Sequence, residues 1–349
     1  MLVRRESSTG ANDLHTIYRP CTVDEMLGNQ TNMNIIRKGL LDGSLSHTFL
    51  FTGDAGCGKT TAARIIAWGL NCESHDAATT EPCIECPSCR SILNQNNMDV
   101  HEVNVGRTGG KDDVESIVKD LPMAPFMSKK KVIIMDEAHK LTPAAQDLLL
   151  KVIEDGYKHV YFIFCTNHPE KLTDAFISRC HVMHFSRIST DLISGLLQNV
   201  AEFEAMDYNP EVLGYIAEES RGVSRDALVW LKQVNDEGSW ALEVAKEIAF
   251  GVLDADDPKI IEISRVLIKG SFKEAFKIYD KIKSKTQAES VRLGIMSYLA
   301  GCLKRGKSYT ECDKFSEALK NISTPIYEKG RAGDYTLYNY LYIVSKTLR

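Results

Sequence analysis

The chain has 349 residues, 44% of them apolar and 26% charged, with a formal net charge of -5. That length suits two or three domains rather than one, and the composition is that of a globular protein able to bury a sizeable core. It excludes a membrane-spanning protein, since no run approaches the ~20 apolar residues that cross a bilayer, a secretory leader, since the arginine pair near the N-terminus has no apolar run behind it, and a broad basic face that coats nucleic acid.

A cytoplasmic location without membrane association is therefore expected, with any nucleic-acid contact confined to a few local groups. From about Thr16 to Phe185, short apolar runs alternate with helical stretches: HTFLFTG, VHEVNV, KVIIMDEA, HVYFIFCTN and HVMHF. Such alternation predicts βαβ units around a parallel sheet, and the runs are continuous because helices cover both sheet faces.

The first run leads into Gly53-Asp54-Ala55-Gly56-Cys57-Gly58-Lys59-Thr60, which fits G-x-x-x-x-G-K-[ST] between a strand and a helix. Glycines let backbone N–H groups curl around phosphate oxygens, and the helix that follows adds the positive end of its dipole. Lys59 is expected to reach the β- and γ-phosphates of ATP and the Thr60 hydroxyl to ligate Mg²⁺. Thr61 is counted with the phosphate-binding residues.

Next comes NCESHDAATTEPCIECPSCR, in which Cys72, Cys83, Cys86 and Cys89 offer four thiolates for one tetrahedral ion. No open ligand position is evident, so a structural Zn²⁺ is expected; the alternative is four reduced thiols, and His75 is a conceivable substitute ligand. The remaining cysteines, Cys21, Cys57, Cys165, Cys180, Cys302 and Cys312, are scattered and read mostly as small core residues.

KVIIMDEAHK delivers Asp136 and Glu137 to a strand end. Asp136 suits holding Mg²⁺, and Glu137 suits polarising the attacking water. The run FIFCT ends at Thr166-Asn167, placing an amide where it can reach between the two motifs. Arg179, in DAFISRC, reads on its own as a surface charge.

Strand signals then stop. STDLISGLLQNVAEFEA and NPEVLGYIAEES open with helix-starting residues. Farther on, GSFKEAFKIYDKI has Ser271 and Glu274 at capping-box spacing and Phe272, Ala275, Phe276 and Tyr279 on one face. Val291, Ile295, Leu299 and Cys302 form a second stripe, and Pro258 and Pro325 punctuate the helices. The expected division is an α/β domain over 1–186, a small helical domain over 187–240 and an all-α domain over 241–349.

A phosphate loop closely followed by this cysteine module, then DEAH, then SRC, resembles the gamma/tau ATPase family of bacterial DNA polymerase III clamp loaders, which are AAA+ proteins. The resemblance covers Thr16 to about Gln233 and implies an AAA+ module with a lid and an oligomerising helical collar. By it, Arg19 and Pro20 lie near the adenine, Asn167 is the first sensor, and Arg225 is the lid arginine that contacts the phosphates. Arg179 becomes an arginine finger entering a neighbouring subunit's site. The partners implied are other clamp-loader subunits in a hetero-oligomeric ring or spiral, a pentamer, together with a sliding clamp and primed DNA bound without sequence preference. Arg107, Thr108 and Lys111, before a helix beginning near Asp112, are the candidate DNA phosphate contacts, with an ordinary solvated loop as the alternative. Leu121, Phe126 and Met127 are candidates for the clamp or for the core.

Two features depart from the family pattern: the gap from Cys72 to Cys83 is long, and the chain stops at Arg349 with no basic or proline-rich extension, so a short form without polymerase or helicase tethering is expected. Rival readings are another AAA+ DNA-metabolism ATPase, such as a helicase loader or branch-migration motor, and a DEAH helicase, which a second strand-rich domain would have to accompany.

Overall fold

All five apolar runs become strands, β1 (Thr48–Thr52), β2 (Val100–Asn104), β3 (Lys131–Asp136), β4 (Val160–Thr166) and β5 (His181–His184), joined in one parallel sheet of order β2-β3-β4-β1-β5. The structure is a computed structural model that describes residues 13–108, 110–250, 258–283, 288–306, 308–324, 326 and 331–348. The three inner strands are buried along nearly their whole length, whereas the edge strands β2 and β5 are partly exposed. Alternate side chains feed two cores, as a two-residue period requires. Phe49, Phe51, Ile134 and Ile163 pack on one face, and Leu50, Ile133, Phe162 and Phe164 on the other.

The first face is covered by α2 (Gln30–Asp42) and α3 (Lys59–Asn71), after a single turn α1 (Leu14–Ile17). A short α4 (Pro87–Leu93) lies against α3. Between β2 and β3 run α5 (Val105–Thr108) and α6 (Lys111–Lys119); α7 (Pro143–Asp155) and α8 (Asp174–Ser178) line the second face. Thr142 caps α7, its hydroxyl accepting the Ala145 N–H at 3.3 Å with Pro143 in the first turn, and Gly156 ends the helix in the left-handed region at φ 64°.

After β5 the chain is helical: α9 (Thr190–Phe203), α10 (Pro210–Glu219) and α11 (Ser224–Glu237). Asn209 starts α10 by accepting the Glu211 N–H at 3.0 Å, as its Asn-Pro sequence predicts.

The chain divides into two compact units, Met1–Lys232 and Gln233–Arg349. The second contains α12 (Leu242–Phe250), α13 (Pro258–Ile268), α14 (Phe272–Ile282), α15 (Ala288–Arg305), α16 (Tyr309–Asn321) and α17 (Arg331–Thr347). Its own core takes Ala275 and Tyr279 from one predicted stripe and Val291, Ile295 and Leu299 from the other. Pro258 opens α13; Pro325 lies outside the described residues. The capping box at Ser271 does not form. The chain turns tightly at Gly270, φ 80°, the Ser271 N–H goes back to the Val266 carbonyl at 3.1 Å, and the hydroxyl makes no cap bond. A buried pair that periodicity gives no hint of joins Arg292 to Glu289 at 2.5 and 2.8 Å; Arg292 also donates to the Ile322 carbonyl and Glu289 accepts the Ile326 N–H. The bonds satisfy both charged ends, which is what makes a buried ion pair tolerable. Among the described residues no helix is long and apolar enough to cross a membrane.

Candidate functional site

The loop between β1 and α3 has three glycines at positive φ, Gly53, Gly56 and Gly58. At Gly53, φ 133°, a Cβ would stand 2.0 Å from the Phe185 carbonyl oxygen, so no other residue fits without moving the backbone after β5. Lys59 is buried and curls back over this loop, donating to the carbonyls of Gly53 at 2.9 Å and Asp54 at 2.6 Å. Cys57 packs beneath, its thiol donating to the Asp54 carbonyl at 2.9 Å. Burial pushes that thiol's pKa up, against the pull of Lys59, so it is a packing group rather than a nucleophile.

The loop opens on a cavity of about 550 Å³ in the first unit, a size in the range of small-molecule sites. It is lined by Arg19, Pro20, the 55–61 segment, Asp136, Glu137, Asn167 and Arg225. Gly53 and Asp54 shape the loop without lining the cavity. Parallel pairing explains the convergence: β4 lies between β1 and β3, so Asn167, just past its end, emerges between the phosphate loop and the two carboxylates. The Thr60 hydroxyl donates to Asp136 Oδ2 at 2.9 Å, while Asp136 Oδ1 accepts the Glu137 N–H at 2.9 Å. A hydroxyl and a carboxylate oxygen thus point at one spot at the mouth of the loop, a hard-oxygen pair of the kind that suits Mg²⁺.

The lining is rich in cations. Lys59, Arg19, Arg64 and Arg225 all line it, and Arg64 forms a two-point pair with Glu102 at 2.6 and 2.7 Å. Burial, with Arg64 and Arg225 nearby, holds the Arg19 guanidinium down to about 10. Cations packed this closely favour an anionic ligand, and a triphosphate chain would suit them.

Glu137 takes a left-handed backbone, φ 59°, and its carboxylate lies 3.0 Å from Lys140 Nζ and 3.6 Å from His139 Nε2. Arg179, at the end of α8, does not line the cavity of its own chain. It is partly exposed, with Nε on Glu154 at 2.6 Å and Nη1 on the Ala175 carbonyl at 3.0 Å. Its neighbour Cys180 is pushed up to about 12 by burial, in keeping with a core thiol.

The cysteine module begins where α3 ends. Cys72 is the residue after α3, Cys86 caps α4 and Cys89 lies within it. With Cys83, the four sulfurs lie within 4.8 Å of one another; His75 is not among them. Backbone N–H groups point at these sulfurs, Cys83 at Cys72 (3.4 Å), Cys86 at Cys83 (3.3 Å) and Cys89 at Cys86 (3.4 Å). Burial raises the Cys83 pKa, yet hydrogen bonds from Ser74 and from the Cys86 and Glu85 N–H groups outweigh it and bring the thiol down to about 6. Convergent sulfurs with N–H donors aimed at them fit a thiophilic cation such as Zn²⁺. The long gap from Cys72 to Cys83 is absorbed by packing: Lys129 Nζ binds the carbonyls of Cys72 and His75, and the Trp68 indole N–H reaches the Cys89 carbonyl at 3.3 Å.

Arg107 and Thr108 fall in α5 and Lys111 begins α6, close to the predicted start; their side chains lie outside the described ones. Of the three residues read as clamp contact or core, Leu121 falls in the core: it is 2% exposed and belongs to the sheet's second core. Phe126, 83% exposed, and Met127 instead face outward on a loop whose N–H groups at 126, 127 and 128 are all held by the buried Asp99 carboxylate at 2.7–2.9 Å. Three residues near the site escaped sequence reasoning. Arg64 follows Thr60 by about one helical turn, a usable signal; His139 sits in the DEAH quartet; Arg187, paired with Asp54 at 2.7 Å, carries no sequence signal.

Residues 28–189 match the family model described as DNA polymerase III, delta subunit. The chain is 34% identical over 269 residues to the DNA polymerase III subunit gamma/tau of Mycoplasma genitalium, covering 76% of this chain and 44% of that one. It is 35% identical over 220 residues to subunit tau of Bacillus subtilis (63% and 39% covered) and 31% over 240 residues to subunit tau of Escherichia coli (68% and 37%). It thus spans less than half the length of each. Among solved structures, a variant of RuvB from Thermotoga maritima superposes with a TM-score of 0.50 at 19% identity, covering 72% of this chain and 80% of that one, a likeness of fold alone.

Proposed function

The chain belongs to the gamma/tau family of DNA polymerase III subunits, and on that premise we propose that it is an ATP-hydrolysing motor subunit of a sliding-clamp loader. One observation carries the reading: a single cavity gathers the phosphate loop, both carboxylates, Asn167 and Arg225, while Arg179 stands outside it. Lys59 and the loop N–H groups would hold the β- and γ-phosphates of ATP, with Arg225 closing on them from the lid and Arg19 and Pro20 beside the base. Thr60 and Asp136 would hold Mg²⁺, which neutralises charge on the phosphate oxygens. Glu137 orients the attacking water and draws on its proton, and Asn167 fixes that water from the other side.

Arg179 acts on the neighbouring protomer's nucleotide, so turnover requires aligned subunits; an arginine finger is worth ~10³–10⁵ in rate. The helical second unit serves as the collar of a pentameric ring or spiral with related subunits. Arg107, Thr108 and Lys111, at helix starts, meet the phosphates of primed DNA, and Phe126 and Met127 meet the clamp. Cys72, Cys83, Cys86 and Cys89 hold a structural Zn²⁺. The test is the ATPase rate of the complex purified from its host. Sliding clamp and primed DNA together are expected to raise it on the order of tenfold or more, as alignment brings the finger into place; a rate indifferent to both overturns the reading.

A further inference from the structure

His139 is an imidazole that the reaction as described does not use. It lies in the single 3₁₀ turn Ala138–Lys140 just past β3, with its side chain only 7% exposed. Nδ1 faces the Thr166 hydroxyl at 3.2 Å, and Nε2 faces Glu137 Oε2 at 3.6 Å. Thr166 is the last residue of β4, next to Asn167, and its hydroxyl accepts the His168 N–H at 3.0 Å. The hydroxyl's own proton is then available to His139 Nδ1. With Nδ1 an acceptor, the neutral ring carries its proton on Nε2, aimed at the Glu137 carboxylate.

The charged and titratable groups around the ring are Glu137, His168, Lys140 and Lys171; burial lowers the ring's pKa, which favours its neutral form. The His168 ring packs edge-on at 5.1 Å and fixes the plane. Lys140 also pairs with Glu137, but from a half-exposed position where an ion pair is weak.

We propose that His139 is a positioning residue that ties Glu137 to the end of β4, so that the carboxylate is aimed only when Thr166 and Asn167 are themselves in place. The proposal rests on Glu137 being the residue that orients the water. It makes the two sides of the cleft one unit: a shift of the β4 end by a bound γ-phosphate reaches Glu137 through one ring.

The test uses the purified complex carrying the full-length chain, with four variants, H139L, H139Q, T166V and the H139L/T166V double. H139L is expected to lower kcat at least tenfold, with the KM for ATP and the affinity for a fluorescent ADP within twofold of the parent. H139Q, whose amide can accept from Thr166 and donate to Glu137, is expected to recover most of that rate. T166V is expected to reproduce the H139L loss, and the double variant to lose no more than either single, the signature of one connected pathway. A parent-like kcat for H139L, an H139Q as slow as H139L, or additive losses in the double variant each overturn the link. E137Q is run beside them: if it too turns over at the parent rate, it is the reading of Glu137 that has failed, whereas an inactive E137Q beside a parent-like H139L condemns the link alone.

Discussion

Lys59 and Arg179 are both cations, and the structure sets them on different partners. Lys59 rests on two carbonyls of its own loop, a neutral arrangement that a phosphate readily replaces. Arg179 rests on Glu154, outside the cavity. Their substitutions should therefore separate binding from turnover. Lys59→Ala removes a charge-assisted contact worth about 1.5–3 kcal/mol, so nucleotide affinity should fall by at least about tenfold in a fluorescent-nucleotide titration. Arg179→Ala should leave that affinity unchanged and lower kcat of the assembled complex by ~10³; an equal loss of affinity would place Arg179 in its own chain's site instead. At this scale the sequence was informative where spacing carries chemistry, as in the phosphate loop and the Asp136–Glu137 pair. It was silent where a side chain depends on a partner far along the chain. Arg187 meets Asp54 across 133 positions, and Leu121, at the start of an apolar segment that also holds Met123, Phe126 and Met127, reads equally well as contact or core until the sheet's second face is built.

The cysteine module links two elements, closing the end of α3 and capping α4, so a metal held there would bear on the helix that starts with Lys59. Metal analysis of purified protein should give zinc near one per chain; its absence would refute the four-thiolate site. Stripping the metal with a chelator should loosen α4 and the 73–86 segment first, because the sheet has cores of its own on both faces. Hydrogen exchange should thus rise across α4 while β1, β3 and β4 stay protected. Loss of protection across the whole sheet would instead mean that the ion supports the fold as it does in small zinc domains. The strands themselves were legible because a buried parallel strand is a continuous apolar run. Their order was not, and it is the order that sets Asn167 between the loop and the carboxylates. The failed capping box at Ser271 teaches the converse: a local pattern gives way when a glycine turn sends the backbone N–H elsewhere.

At the scale of the whole chain, the two units have separate cores, and every residue lining the nucleotide cavity falls in the first, the last of them Leu228. A fragment of residues 1–238 keeps α11 entire and ends at Gly238, whose φ of 71° already turns the chain away from the helix. Binding chemistry and assembly should then part cleanly. The fragment is expected to bind fluorescent ADP within about twofold of the full chain, since it keeps all the described residues that line the cavity. It should nevertheless fail to join the complex, and so show none of the rise in ATPase rate expected with clamp and primed DNA, because in the proposed mechanism Arg179 would reach a neighbour's γ-phosphate only when protomers are held side by side. Size-exclusion chromatography with partner subunits reads the first loss, and the steady-state rate reads the second. A fragment that binds nucleotide, stays monomeric and still hydrolyses at the stimulated rate would show that the site is complete within one chain, and the finger role of Arg179 would fall with it.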